Sequence, residues 1–146
     1  RWDWGSTVWW RELGATRAAG TRGPNGPGTG SEGDRWMAGQ LSVISKGMTT
    51  IFWGLIRTPA EKRDIAAINE AIADTGKLWA RLDAHLAERP YVAGAHLTMG
   101  DMPAGCMAYR WFALPIERPP LKNLQAWHER LATRPAYAKH VMIKMT

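Results

Sequence analysis

The sequence predicts an all-α fold, a bundle of about five helices that follows an irregular N-terminal segment. Apolar residues recur at steps of three and four through most of residues 34–146. Several of these stretches open with helix-start signals, and prolines separate them from one another. The chain has 146 residues, 45% of them hydrophobic, so it is long enough to enclose one core of its own.

Residues 1–33 differ in composition from the rest of the chain and are predicted to be irregular or disordered. Residues 1–34 hold eight of the 15 glycines and four of the nine tryptophans, with only Val8 and Leu13 as aliphatic material. Residues 20–33 are too rich in Gly and Pro for a helix or a strand and read as a linker. Residues 6–10 have strand character, but no second strand is available to pair with them.

The first helix is predicted to begin at Asp34, which is a suitable N-cap. Gly39 and Gly47 weaken it by about 1 kcal/mol each relative to Ala. Its apolar stripe consists of Met37, Leu41, Ile44, Met48, Ile51 and Leu55.

The second helix has the clearest start signal in the chain. Thr58 is placed as the N-cap, Pro59 as the first helical residue and Glu61 as the partner in a capping box. A stripe then runs from Ile65 to Leu86, until Pro90 stops the helix. We expect this helix to pack antiparallel to the first.

The third helix repeats this logic, with Thr98 as N-cap, Asp101 as the reciprocal acceptor of a capping box, and Leu97 stapled against Met102. It is predicted to end at Leu114. Two further helices follow, the first with a stripe of Leu121, Leu124, His128 and Leu131, and the second opened by Pro135 and carrying Tyr137 and Val141. Five tryptophans, one to a helix or its end, are expected to anchor the packing: Trp36, Trp53, Trp79, Trp111 and Trp127.

Charge and motifs exclude several classes of function. The net charge of +6 comes from scattered Lys and Arg, and its densest run, residues 57–63, reads as a solvated helix entrance, so no nucleic-acid partner is predicted. No apolar run approaches the twenty residues that would span a membrane.

The reactive side chains form no recognisable centre. The single cysteine, Cys106, gives no disulfide or zinc spacing and fits a reducing cytoplasm. It is expected to be packing material rather than a nucleophile. The four histidines lack metal spacing and the acidic residues occur singly, so no metal site and no catalytic residue is predicted.

Residues 34–141 resemble the C-terminal helical domain of bacterial glutathione S-transferases. The most specific part is Leu97-Thr98-Met99-Gly100-Asp101-Met102-Pro103, which is similar to the capping-box and staple motif of that family. Gly100 departs from the usual Ala or Ser. The remaining similar segments are residues 34–37, 52–59, 82–86, 89–94, 108–112, 127 and 134–137.

The resemblance implies that glutathione, the co-substrate of the intact family, binds mainly to an N-terminal thioredoxin-like domain. That domain uses a Val-Pro and a Glu-Ser dipeptide, and neither occurs in this chain. We therefore expect a truncated form that binds no cofactor by itself. Residues 1–33 are interpreted as an altered or frame-shifted remnant of the missing domain.

The resemblance also implies a site for the hydrophobic electrophile, with Met37, Gln40, Leu41 and Ile44 as its wall and Tyr109 added from a later helix. An alternative interpretation of equal weight places Met37, Leu41 and Ile44 in the hydrophobic core. Thr98 and Asp101 would serve folding rather than catalysis.

The partners follow from the same resemblance. They are an electrophile and glutathione once a thioredoxin-like domain completes the site, and a second copy in a homodimer. The alternative is a non-catalytic interaction or dimerisation module of the same fold.

Overall fold

The computed structural model describes residues 35–36, 38–39 and 43–145. The predictions for residues 1–34, and for Met37, Gln40 and Leu41, lie outside the described residues. Within the described part, the all-α prediction is confirmed. Five α-helices have described bounds, residues 35–36 and 38–39 are helical as well, and no strand is present apart from one isolated antiparallel bridge between Tyr91 and Gly94.

The five helices carry the labels α1 to α5 in chain order. They span Ser45–Phe52 (α1), Ile65–Leu86 (α2), Asp101–Ala113 (α3), Lys122–Ala132 (α4) and Pro135–His140 (α5). Helix α1 packs on α2 and α3, α2 and α3 pack on α4, and α4 packs on α5. None of the helices in the described part is long and apolar enough to cross a membrane.

Helix α1 continues without a break into a π-helical turn, Trp53–Arg57. Met48 and Ile51 of the predicted stripe are buried, and Leu55 packs at the edge of the core. Gly47 has a packing role, because a Cβ at this position would collide with the Thr75 hydroxyl of α2. Gly47 lowers the helix propensity of α1, but the absence of a side chain at this position allows α1 and α2 to approach closely.

The predicted start of the second helix is wrong. The chain after Pro59 makes only a 3-10 turn, Ala60–Lys62, and α2 begins at Ile65, with Asp64 as its N-cap. The Asp64 carboxylate accepts the Ala67 N–H at 2.9 Å. The Thr58 hydroxyl instead donates to the Trp53 carbonyl at 2.9 Å, and the same oxygen accepts the Thr58 N–H at 2.9 Å where the π-helical turn ends.

The core lies between α1, α2, α3 and α4. Trp79, Trp111 and Trp127 are fully buried at its centre, as predicted for packing anchors. Trp53 does not fit that prediction, since it is 59% exposed on the π-helical turn. Ile65, the first residue of α2, is also exposed, at 55%.

Candidate ligand-binding hollows

The loop before α3 is organised by the buried carboxylate of Asp101. One oxygen, Oδ2, accepts the Thr98 N–H at 2.8 Å and the Thr98 hydroxyl at 3.0 Å. The other, Oδ1, accepts the Val92 N–H and the Trp127 indole N–H, both at 2.9 Å. Burial raises the pKa of the Asp101 carboxyl, and these four hydrogen bonds oppose that rise.

Thr98 and Asp101 thus contact each other, but the prediction of Thr98 as the N-cap is wrong, because α3 begins at Asp101 and Gly100 occupies the N-cap position. The Thr98 hydroxyl donates to the carboxylate instead of accepting a helix N–H, and the Asp101 N–H bonds the Thr98 carbonyl at 3.2 Å. The sequence indicated the Thr98 contact, because the two residues are three positions apart. It carried no signal for the contacts with Val92 and Trp127.

Two of the predicted wall residues of the electrophile site, Ile44 and Tyr109, are among the described residues. They border different hollows. Ile44 is only 5% exposed and belongs to the core, and it also borders a hollow of about 250 Å³. Arg35, Trp36, Val43, Leu78 and Arg81 are further residues of this Ile44 hollow. Tyr109 does not border it.

Tyr109 borders a second hollow, of about 330 Å³, between the end of α1, the middle of α3 and the residues after α5. We name it the Tyr109 hollow. The Tyr109 hydroxyl donates to the Ile143 carbonyl at 2.7 Å and so fastens the chain after α5 to α3. The lining residues are Phe52, Arg57, Cys106, Tyr109, Arg110, His140, Val141, Ile143, Lys144 and Met145.

Cys106 is the nucleophilic side chain of the Tyr109 hollow. Burial raises the pKa of its thiol, while the positive charge of Arg110 acts in the opposite direction. The raised pKa keeps the thiol protonated at neutral pH, and a thiol is a poor nucleophile compared with a thiolate. This agrees with the interpretation of Cys106 as packing material.

The half-buried His128 lies among aromatic rings between α3, α4 and α5. Its ring stacks on Phe112 at 5.1 Å, and Tyr137, whose hydroxyl donates to the Gly105 carbonyl at 2.6 Å, lies 3.3 Å from its Nδ1. Burial lowers the pKa of His128 and raises the pKa of Tyr137. Both groups are therefore neutral at pH 7 and serve packing. Among the described residues no cluster of His, Cys, Asp or Glu could hold a metal ion.

An open groove of about 850 Å³ runs along α2 toward the connection between α3 and α4. Its apolar residues include Leu55, Ile65, Ile72 and Ile116. It lies apart from both smaller hollows, since it shares no lining residue with them.

Comparison with known proteins agrees with the helical bundle. The model of the glutathione S-transferase C-terminal domain matches residues 65–130. The glutathione S-transferase GstB of Escherichia coli K12 is 35% identical over 120 residues, which are 82% of this chain and 58% of that protein. The chain thus spans less than two thirds of the curated relative that it matches.

Two solved structures match a larger share of this chain. The theta class glutathione S-transferase of the citrus canker pathogen Xanthomonas axonopodis pv. citri is 44% identical in its apo form, with a TM-score of 0.93. That match covers 99% of this chain and 76% of the other. The same enzyme with glutathione bound gives the same identity and TM-score and is covered over 69% of its chain.

The chain belongs to the glutathione S-transferase family. The match to the Xanthomonas enzyme extends over nearly the whole chain, and so beyond residues 34–141, on which the resemblance in sequence rests.

Proposed function

We propose that this chain is the helical part of a glutathione S-transferase, on which the electrophile docks and through which subunits associate. The observation that carries the proposal is the match to the Xanthomonas enzyme, at 44% identity over 99% of this chain. That enzyme has been solved with glutathione bound.

In the proposed reaction, the sulfur of the glutathione thiolate forms a bond to an electrophilic carbon and the leaving group departs with its electron pair. A hydroxyl of the thioredoxin-like domain stabilises the thiolate. The helical domain contributes apolar walls, for which Met37, Gln40, Leu41, Ile44 and Tyr109 are the candidates. We propose that the glutathione-binding residues lie outside these 146 residues, which contain no Val-Pro and no Glu-Ser dipeptide.

The chain by itself should therefore show neither retention on immobilised glutathione nor turnover of 1-chloro-2,4-dinitrobenzene. The Xanthomonas enzyme, prepared in the same way, is the positive control. Retention or turnover by this chain would show that its own residues bind glutathione and would contradict the proposal.

A chimera tests the electrophile-docking role. In this chimera, residues 34–146 replace the helical domain of the Xanthomonas enzyme. We expect the chimera to conjugate glutathione to 1-chloro-2,4-dinitrobenzene. A folded chimera that binds glutathione but conjugates no electrophile would contradict the docking role.

The alternative function is a non-catalytic interaction or dimerisation module. The absence of Val-Pro and Glu-Ser dipeptides favours it, as does the open groove along α2 with its exposed Ile65. The chimera discriminates the two functions. A folded chimera that conjugates glutathione to the electrophile supports the enzyme part, and one that binds glutathione and associates but conjugates nothing supports the module.

A further inference from the structure

We propose that the exposed residues at the end of α5 and just after it dock on the surface of an anionic phospholipid bilayer. They are Lys139, His140, Met142, Ile143 and Lys144, and we name them the basic face. The contact is peripheral, needs no spanning helix and uses residues to which the proposed conjugation gives no role. It rests on exposed apolar side chains, on the contacts that hold them and on the charge beside them.

Two consecutive apolar side chains of the basic face are exposed to solvent. Met142 is 39% exposed, and Ile143, at 62%, is the most exposed of the large apolar side chains described. An exposed apolar side chain gains free energy when it leaves water for the boundary between headgroups and acyl chains. These two residues therefore provide an apolar contact for a bilayer.

Contacts with the rest of the domain hold the exposed residues in place. Val141 and Met145, on either side of them in the chain, pack against the core. The Tyr109 hydroxyl donates to the Ile143 carbonyl at 2.7 Å. Because the backbone is already fixed, docking of the exposed side chains costs little further conformational entropy.

The chain around the exposed apolar pair carries positive charge only. Residues 130–146 contain four Lys and Arg and no Asp or Glu. Two of these cations, Lys139 and Lys144, are exposed and lie on either side of the apolar pair in the sequence. Lysines beside exposed apolar side chains complement a bilayer, which presents anionic headgroups above hydrocarbon.

Two arginines from other parts of the fold add to this charge. The exposed Arg57 and Arg110 line the Tyr109 hollow together with Ile143 and Lys144, and none of the described lining residues is Asp or Glu. Their Cζ atoms lie 5.9 and 5.6 Å from the centroid of the Phe52 ring, where cation–π attraction holds them although their charges repel each other. Cations from three parts of the chain therefore lie close to the exposed Ile143.

The combination of apolar and cationic groups favours a bilayer over a nucleic acid. Phosphates of a nucleic acid would also attract the cations, but single strands bind in addition by stacking bases on aromatic side chains. The basic face contains no Phe, Tyr or Trp. A nucleic acid would leave Met142 and Ile143 in water.

Co-sedimentation of the whole chain with vesicles tests the proposal. The vesicles consist of phosphatidylcholine, with or without about a third of phosphatidylglycerol. We expect about tenfold stronger binding to the anionic vesicles, and added salt should reduce this preference. K144Q should weaken the binding by about fivefold, the usual contribution of one Lys near an anionic surface.

The apolar contact is tested by I143S, which leaves the backbone carbonyl that accepts the Tyr109 hydrogen bond in place. Because apolar area is lost from the interface, binding to the anionic vesicles should fall by about fivefold. Far-UV circular dichroism verifies that all variants are folded.

Each variant has a matched control elsewhere in the domain. K122Q removes the same charge from the exposed start of α4, and I65S replaces an isoleucine of similar exposure at the start of α2. Both controls should bind as the unchanged chain does. Equal binding to neutral and anionic vesicles, or none to either, would overturn the proposal, as would equal losses in I65S and I143S. An unaffected I143S that binds a single-stranded oligonucleotide more tightly than vesicles would assign the basic face to nucleic acid instead.

The vesicle assay contains neither glutathione nor an electrophile, so it is independent of the conjugation assay. An inactive chimera with preserved vesicle binding would remove the proposed function and leave this surface. An active chimera whose helical domain binds no vesicles would do the reverse.

Discussion

Asp101 joins three separate parts of the domain through one buried side chain. Its two oxygens receive N–H groups from the loop before α3 and the indole N–H of Trp127 on α4. A buried carboxylate is tolerated when hydrogen bonds replace the water that it loses. The four donors therefore fix the loop, the start of α3 and the position of α4 relative to each other.

Replacing Asp101 by Asn should destabilise the fold by about 3 kcal/mol, since a buried hydrogen-bonding partner is lost. The new NH₂ group must face either the donors at Oδ1 or those at Oδ2, and that pair is then left without an acceptor. The free energy of unfolding in urea measures the loss.

The matched control for D101N is D74N. Asp74 pairs with Lys77 at 2.8 Å, but both side chains are exposed on α2, so no measurable change is expected. Equal effects of D101N and D74N would show that the Asp101 contacts contribute nothing beyond an ordinary surface carboxylate.

Helix ends in this domain are closed by side chains from elsewhere in the chain as well as by local caps. Asp83 of α2 accepts the Leu124 N–H at 2.8 Å and the Asn123 side chain at 3.2 Å, at the start of α4. Arg118 donates to the carbonyls of Phe112 and Leu114 at the end of α3, at 2.7 and 2.6 Å. These contacts satisfy backbone groups that a helix end leaves unpaired.

The start of α2 provides a direct comparison of two cap assignments. D64A should cost about 1 kcal/mol of stability, the usual value for losing an N-cap oxygen. E61A should cost almost nothing, because Glu61 is exposed on the 3-10 turn and does not belong to α2. Thermal unfolding of both variants checks the assignment. A larger loss of stability in E61A than in D64A would instead support the capping box that begins at Thr58.

At the scale of the whole molecule, α1 to α5 contribute to one continuous core cluster. Ile51 of α1, Trp79 of α2, Trp111 of α3, Leu124 of α4 and Tyr137 of α5 all belong to it. Each helix buries its apolar face against other members of this cluster, so the helices depend on one another for stability.

We therefore expect the helices to unfold in one cooperative step. In D101N, the urea midpoints measured by ellipticity at 222 nm and by tryptophan fluorescence should move to lower urea together. The fluorescence reports in part on the buried Trp79, Trp111 and Trp127, which lie on three different helices. Loss of ellipticity well before the change in fluorescence would show that part of the bundle unfolds independently.

Much of the fold was predictable because its signals are local. Five residues of the predicted stripe of α2 are buried: Ile68, Thr75, Trp79, Leu82 and Leu86. Its other two members are not, since Ile72 is half-buried and Ile65 is exposed. The Thr98 and Asp101 pair was also visible, since its members are three residues apart. The cap of α2 was mispredicted because Thr58 and Asp64 both satisfy the local rule, and the π-helical extension of α1 decided between them.

The candidate sites were less predictable, because the residues that form them are far apart in the sequence and leave no local signal. Tyr109 was named from the family resemblance alone, whereas Arg57, Arg110 and Lys144 carried no signal that they would share a hollow with it. The sequence by itself determined the helical class of the described part and the family, because periodicity, turn residues and motifs act over a few positions. Only the tertiary structure decided which charges meet around Phe52 and which donors reach Asp101. Those contacts join residues that are distant in the chain, and packing alone brings them within hydrogen-bonding or electrostatic range.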